Sequence, residues 1–177
     1  YLARFDAYGN ELWSRVIGDK DNILTSGGLM TADGSFIILA NVLNYPEFDD
    51  DILLLKIDQD GNALWSRTWE DGDLVGNALI QASDGSYLIA GGYAPAGDLD
   101  QSTKDFLFIK VDPQGNELWQ RAYGEPEMID WAYSAVETTD GGFVAVGEIT
   151  PDLITWDGDI TLIKIDADGQ FVWQKTI

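Results

Sequence analysis

Short apolar runs separated by turn residues follow one another along the whole chain. No segment keeps the 3.6-residue apolar period of an amphipathic helix over the length of a helix. Asp-Gly pairs lie between apolar runs at 33–34, 84–85 and 140–141. Such pairs indicate β-hairpins, because both turn positions adopt positive φ at low cost. The pattern therefore predicts an all-β protein of short strands, essentially without helix.

The pattern recurs at a fixed spacing. Four tryptophans lie 52 to 54 residues apart, a glycine lies four residues before each of them, and an aspartate lies three residues before each glycine. These residues are Trp13, Trp65, Trp119 and Trp173; Gly9, Gly61, Gly115 and Gly169; and Asp6, Asp58, Asp112 and Asp166. A fixed period of this length indicates a repeat architecture. We expect the repeated tryptophans and glycines to be structural, with each indole packed between units and its N–H bonded to a backbone carbonyl.

Each complete unit contains four strand-like segments. The predicted first strands are residues 23–31, 77–82 and 132–138, the second strands follow the Asp-Gly pairs, the third strands are 52–57, 106–111 and 160–165, and the fourth strands carry the tryptophans. Four short antiparallel strands in a unit of this size describe a β-propeller blade. The predicted fold is a β-propeller-type array of four-stranded blades, with a half blade at 1–18 and complete blades at 19–70, 71–124 and 125–177.

An array of three and a half blades has an open face at each end. Repeat arrays without capping units expose the apolar surface that neighbouring units would otherwise bury. We expect either further blades of a longer chain or second copies of this chain to cover the two faces.

Composition narrows the chemistry of the chain. Its 177 residues include neither cysteine nor histidine, which excludes disulfides, thiolate nucleophiles and Ser-His-Asp sites. The 31 acidic and 10 basic residues give a net charge of −21, which disfavours nucleic acid and anionic membrane surfaces as partners. No apolar run reaches the roughly 20 residues that cross a bilayer, so we expect no membrane insertion.

Most of the basic residues occupy two repeated positions, five residues before each glycine and two residues after each tryptophan. They are Arg4, Lys56, Lys110 and Lys164, and Arg15, Arg67, Arg121 and Lys175. Only Lys20 and Lys104 lie outside these positions. We expect the repeated cations to pair with Asp or Glu across strands.

The repeated motif Asp-x-x-Gly-x-x-x-Trp resembles the tryptophan-docking motif of quinoprotein-like β-propellers, although that family usually has one more residue between Asp and Gly. The longer pattern at 140–147 and 162–173 is similar to the repeats of long secreted or surface-exposed bacterial and archaeal propeller proteins, most of them without assigned function. The resemblance spans the whole chain. It implies tryptophans stacked between adjacent blades and a location outside the cell or on its surface.

Two sets of residues are candidate binding sites. Aromatic residues outside the repeat predict a binding surface or a subunit contact: Trp69, Trp131 and Trp156. Closely spaced carboxylates in the loops and turns suit Ca²⁺, which takes six to eight oxygen ligands, although none forms a complete twelve-residue calcium loop. The predicted calcium ligands are Asp49, Asp50, Asp51, Asp98, Asp100, Asp157, Asp159, Asp58, Asp60, Asp166 and Asp168. The alternative role of these aspartates is to cap turns and form a solvated acidic rim.

No catalytic residue can be singled out. Quinoprotein dehydrogenases of the resembling class hold a quinone, many with an adjacent disulfide that this chain cannot form, and no one carboxylate pair stands out as a glycosidase pair. We therefore expect a non-catalytic extracellular module with a structural, adhesive or protein-interaction role that associates with itself, needs no cofactor and accepts calcium. The alternative is a propeller with a pocket at its central axis that binds a glycan or a quinone-type ligand or performs catalysis.

Overall fold

The computed structural model describes residues 1–16, 22–44, 49–95, 103–151 and 157–177. Within these residues, fourteen strands form four antiparallel sheets, and no helix is present. The prediction of an all-β chain with repeated sheets of up to four strands is confirmed.

Each sheet is a simple meander in which strands that follow one another in sequence are hydrogen-bonded neighbours. The first sheet contains β1 (Leu2–Phe5) and β2 (Glu11–Arg15). The second sheet contains β3 (Ile23–Met30), β4 (Phe36–Val42), β5 (Asp51–Ile57) and β6 (Ala63–Trp69). The third contains β7 (Asp73–Gln81), β8 (Tyr87–Ala94), β9 (Asp105–Val111) and β10 (Glu117–Tyr123). The fourth contains β11 (Ile129–Glu137), β12 (Phe143–Thr150), β13 (Asp159–Ile165) and β14 (Phe171–Thr176).

Two first strands begin earlier than the sequence predicts. The predicted starts were residues 77 and 132, whereas β7 begins at Asp73 and β11 at Ile129. A β-bulge interrupts each strand, between Gly76 and Ala78 in β7 and between Ala132 and Ser134 in β11. A bulge shifts the alternation of inward and outward side chains. The residues before the bulge therefore do not continue the apolar–polar alternation of the residues after it, and the sequence pattern starts the strand too late.

The sheets pack face to face in chain order. Strand β7 of the third sheet packs against β3, β4 and β5 of the second, and β11 of the fourth packs against β7, β8 and β9 of the third. Two apolar clusters fill these interfaces. The cluster between the second and third sheets includes Leu39, Leu54, Tyr87 and Ile109, and the cluster between the third and fourth includes Leu88, Phe106, Phe108, Phe143 and Ile163.

The repeated lysines pair with the Asp-Gly turns of their own sheets. Lys56 lies 3.2 Å from Asp33, Lys110 lies 3.0 Å from Asp84 and Lys164 lies 3.2 Å from Asp140. The expectation of lysine–carboxylate pairs is confirmed for these three residues. Each carboxylate also accepts a hydrogen bond from the residue two positions on, so the pair ties the first hairpin of a sheet to its third strand.

The four repeated arginines, Arg4, Arg15, Arg67 and Arg121, donate to backbone carbonyls instead of the predicted carboxylates. Arg67 donates from Nε to the Gly115 carbonyl at 2.8 Å, and Arg15 donates to the Asp60 carbonyl at 3.4 Å. Both carbonyls belong to a turn of the next sheet. These two arginines therefore connect neighbouring sheets through backbone oxygens and form no ion pair among the described residues.

Candidate interaction surfaces

The tryptophan of each of the first three sheets lies against a glycine turn of the next sheet. A Cβ placed on Gly61 would lie 2.9 Å from the Trp13 ring, and one on Gly115 would lie 2.9 Å from the Trp65 ring. Trp119 lies in the same way over Gly169, again at 2.9 Å. Any side chain at these glycines would displace the indole, so the glycine is needed both for its open surface and for its turn conformation.

Hydrogen bonds fix the docked geometry. The Trp13 indole donates from Nε1 to the Gln59 carbonyl at 2.8 Å, and Arg4 donates to the same oxygen at 2.6 Å. At the interface between the third and fourth sheets, the Tyr123 hydroxyl donates to the Gly169 carbonyl at 2.7 Å. The three interfaces thus combine stacking on a glycine with donors aimed at the carbonyls of the same turn.

The two ends of the array carry unmatched halves of this arrangement. Gly9 occupies the repeated turn position in the first sheet, and nothing lies within 4 Å of the place a Cβ would take. Trp173 occupies the tryptophan position in the fourth sheet and is 41% exposed, whereas Trp13, Trp65 and Trp119 are half-buried. One end therefore presents an empty glycine turn and the other presents an undocked indole.

A cavity of about 510 Å³ separates the first and second sheets. Its lining is mostly apolar and includes Leu2, Trp13, Leu29 and Phe36. The first sheet has two strands where each of the others has four, so it covers only part of the second sheet. The cavity follows from this shortfall of strands.

The aromatic residues predicted to form a binding surface lie against neighbouring sheets where they are described. Trp69 is half-buried and donates from Nε1 to Glu117 at 2.8 Å. Trp131 is half-buried; its ring lies against Gly92, and the Lys104 ammonium is 4.9 Å from the ring centroid. Trp156 lies outside the described residues. The predicted contact with a ligand or subunit stays a prediction.

The aspartates of the repeated turns bond to their own backbone. Asp58 accepts hydrogen bonds from the amides of Asp60 and Asn62, and from the Asn62 side chain at 2.9 Å. The hydrogen bond from the Asn62 side chain is the main reason why the pKa of Asp58 lies below its usual value. Asp166 likewise accepts from the amides of Asp168 and Gln170. The side chains of Asp60 and Asp168 are exposed at the turn surface.

The other predicted calcium ligands precede or begin the third strands in the sequence; Asp51 is the first residue of β5 and Asp159 the first of β13. Asp50 and Asp51 each accept a hydrogen bond from Asn44, and the Asp49 carbonyl accepts a third. Asp157 and Asp159 are exposed, while Asp98 and Asp100 lie outside the described residues. Across the described parts of the chain, no three acidic side chains come together as a metal site. Calcium binding stays a prediction for these loops.

A buried ion pair lies where the first and third strands of the sheets begin. Lys104 and Asp73 are in direct contact, with 2% and 7% of their side chains exposed. The Lys104 ammonium also faces the Trp131 ring, and the Lys104 carbonyl accepts a 2.7 Å hydrogen bond from the Asp130 amide. The sequence identifies Lys104 only as a cation outside the repeat. In the structure it differs from Lys56, Lys110 and Lys164 because its aspartate partner is buried, whereas theirs are exposed.

Asp130 lies next to this pair and is fully buried. Its Oδ2 accepts the Glu125 amide at 2.9 Å, whereas its Oδ1 has no hydrogen-bond partner among the described residues. Burial raises the pKa of the Asp130 carboxyl to about 6, and the negative charges of Asp105 and Glu125 act in the same direction. Burial also raises the pKa of Asp105. This edge of the sheets therefore holds carboxylates that are costly to ionise.

Asp130→Asn is expected to raise the melting temperature at about pH 8 and to change it little at about pH 4. The folded-state pKa of about 6 exceeds the ordinary value of 3.8. The stability that comes from neutral Asp130 is therefore complete below about pH 4 and is lost as pH rises through about 6. Asparagine keeps an acceptor for the Glu125 amide and carries no charge. Thermal melts of both proteins across this range measure the effect, and equal melting temperatures at the alkaline end would contradict it.

Comparison with known proteins adds no family assignment. Neither a scan against protein-family models nor a search of curated proteins finds a match for this chain. Among the described residues, no helix is long and apolar enough to cross a bilayer.

Proposed function

We propose that this protein is a non-catalytic β-propeller-type repeat module with a structural, adhesive or protein-interaction role outside the cell. The observation that carries the proposal is the tryptophan–glycine contact, which occurs between each pair of successive sheets. A contact built identically three times identifies the repeated tryptophans as the means by which sheets are joined. Stacked twisted sheets joined in this way are the arrangement that a propeller blade array requires.

The exposed apolar surface supports an interaction role. Exposed positions of the fourth sheet correspond to positions that are buried at the equivalent place in the third sheet. Ile160 is 58% exposed where its counterpart Phe106 is fully buried, and Val146 is 38% exposed where Ala90 is fully buried. Contiguous apolar surface of this kind marks an interaction site. The surface available to a partner is thus the same surface that the repeat uses internally.

Charge and composition support a role without catalysis. The chain has no histidine or cysteine, and its net charge is −21. Asp58 and Asp166, which sequence alone offers as calcium ligands, bond to their own turns, and so does Asp112. The extracellular location rests on the resemblance to long secreted propeller repeats, and the acidic surface is compatible with it because high net charge favours solubility.

The alternative is a ligand-binding or catalytic propeller with an axial pocket. The observation that favours it is the group of buried polar residues outside the repeat, Lys104, Asp73 and Asp130, which lie together at one edge of the sheets. Polar groups outside a repeat are expected at the mouth of a pocket. Lys104 and Asp73, however, are satisfied by each other.

Binding measurements distinguish the two functions. We expect the immobilised chain to bind the free chain, and we expect soluble glycans and a quinone to leave its melting temperature unchanged. Any ligand that binds only the folded protein would raise the melting temperature in proportion to its saturation. Stabilisation by a glycan or quinone, with no binding between chains, would overturn the proposal in favour of the pocket. Stabilisation by Ca²⁺ alone would instead support the predicted calcium loops.

A further inference from the structure

We propose that two copies of this chain dock head to tail, with Trp173 of one copy lying on the Gly9 turn of the other. This inference rests on the proposed interaction role and names the partner and the contact. The partner is a second copy because the chain carries both halves of the contact, one at each end of its array. Within one chain, the same contact between a tryptophan and a glycine turn already occurs three times.

The Gly9 turn already has the conformation of the occupied turns. Its φ is +84°, compared with +79° at Gly61, +83° at Gly115 and +78° at Gly169. The Gly9 amide donates to the Asp6 carbonyl at 3.1 Å, as the Gly61 amide does to Asp58. Gly61, Gly115 and Gly169 are buried by their tryptophans, whereas Gly9 is exposed. No rearrangement of this turn is needed before an indole can dock on it.

The surface around Trp173 matches the docked surface of the third sheet. Val136, Val146, Ile160 and Ile177 share its face of the fourth sheet and are 38% to 72% exposed. Lys175 stands two residues after Trp173, where Arg67 stands after Trp65. Arg67 donates to the carbonyl of Gly115, the glycine on which Trp65 docks. In the docked pair, Lys175 would lie within reach of the equivalent carbonyl, that of Gly9.

The receiving surface is also apolar. Phe5 is 56% exposed in the first sheet, whereas its repeat counterparts Ile57, Val111 and Ile165 are nearly fully buried. Docking would place Phe5 against the fourth sheet of the other copy, as Ile165 is placed against the third sheet. The two surfaces thus offer matching apolar area as well as the indole and its glycine.

The contact is directional, because each copy contributes a different surface. A head-to-tail interface leaves one free end of each kind, so it forms rings where the rotation closes and open chains where it does not. A symmetric pair formed through two fourth sheets would instead place Trp173 against Trp173 and leave Gly9 unused. The two modes make different predictions for substitutions at Gly9.

The test uses two variants that each remove one half of the contact. Gly9→Asn keeps the turn, because asparagine tolerates positive φ, but fills the space that the indole needs. Trp173→Ala removes the indole. Analytical ultracentrifugation of the 177-residue chain is expected to show association of the wild type, and each variant alone is expected to associate at least about tenfold more weakly. An equimolar mixture of the two variants retains one intact contact and is expected to form a one-to-one dimer.

Val172→Ala is the matched control. Its repeat counterparts Leu12, Leu64 and Leu118 remain 53% to 56% exposed beside docked tryptophans, and Val172 is 51% exposed. Docking should therefore leave Val172 in solvent, and its truncation should not change association. Circular dichroism of all variants checks that the sheets are retained.

The outcomes separate this inference from the proposed function. Association of the wild type that is insensitive to Gly9→Asn would overturn the head-to-tail contact and leave the interaction role standing. A mixture of the two variants that stays monomeric would also overturn it. A wild-type chain that is monomeric at every concentration and does not bind to itself on a surface would overturn both.

Discussion

Replacing Lys104 with methionine is expected to lower the free energy of unfolding by about 3–5 kcal/mol. Lys104 is 2% exposed and contacts Asp73, which is nearly as buried. Without the ammonium, the Asp73 carboxylate would remain in the interior with no cation beside it. Asp130 lies in the same region and is itself fully buried. The loss comes from leaving a buried charge unpaired, because methionine keeps most of the volume of lysine.

Lys110→Met provides the matched control near the C-terminal end of β9, the strand that begins directly after Lys104. Lys110 pairs with Asp84 at 3.0 Å, but the Asp84 side chain is 56% exposed, so water can solvate it once the lysine is gone. We expect a loss below about 1 kcal/mol for this variant. Urea unfolding at neutral pH measures both losses. Similar values for the two lysines would show that burial of the Lys104 pair does not control its contribution.

A second comparison separates the charge of Lys104 from its packing. The double variant Lys104→Met with Asp73→Leu removes both charges, and buried ion pairs replaced by apolar side chains are often neutral in stability. We expect it to recover most of the stability that Lys104→Met loses. A double variant as unstable as the single one would mean that the methionine itself does not fit between Asp73 and Trp131.

The features that sequence alone predicts are those fixed by local chemistry. The Asp-Gly turns at 33–34 and 84–85 form hairpins as predicted, but positive φ occurs only at the two glycines and at neither aspartate. Glycine therefore supplies the left-handed position, and each aspartate instead accepts the amide of the residue two positions on. The repeat period predicts four-stranded sheets because every strand recurs with its own turn. Sequence alone predicts that Lys56 pairs with a carboxylate, as it does with Asp33, since both positions recur in every complete unit.

The features that sequence alone misses depend on how one sheet sits on the next. The ion pair of Lys104 and Asp73 joins the beginnings of β9 and β7 within the third sheet, 31 positions apart, and Trp131 of the fourth sheet packs on the lysine. No repeated spacing marks this cluster. Trp131 and Trp69 are predicted to form a binding surface or subunit contact because they fall outside the repeat, and the structure adds that each also contacts a neighbouring sheet. A residue outside the period can be buried as well as exposed, and only the packing of sheets decides which.

The predicted calcium ligands show a similar limit. The spacing of acidic residues in the sequence does not reveal which carboxylate oxygens already accept hydrogen bonds from backbone amides. Asp58 receives two such amides and an asparagine side chain, so its oxygens stabilise a turn. The sequence carries this signal at three turns, because Asn10, Asn62 and Asn116 follow repeated glycines and their side-chain amides donate to the aspartates.

Trp65→Ala is expected to lower the free energy of unfolding by about 3 kcal/mol, the low end for truncation of a packed tryptophan because the indole is only half-buried. Trp65 lies on Gly115 and packs beside the apolar cluster between the second and third sheets. Its removal opens a cavity over the glycine and weakens the contact between two sheets. Urea unfolding of the dilute chain, where association does not contribute, measures the loss.

Trp173→Ala makes the identical change at the equivalent position of the fourth sheet, where no glycine turn receives the indole. We expect this variant to lose less than about 0.5 kcal/mol under the same dilute conditions, as exposed substitutions usually do. The difference between the two variants isolates the contribution of docking, because residue type, strand position and local turn are the same. Equal losses at Trp65 and Trp173 would show that the indole stabilises its own strand, and the tryptophan–glycine contact would then no longer account for how the sheets are joined.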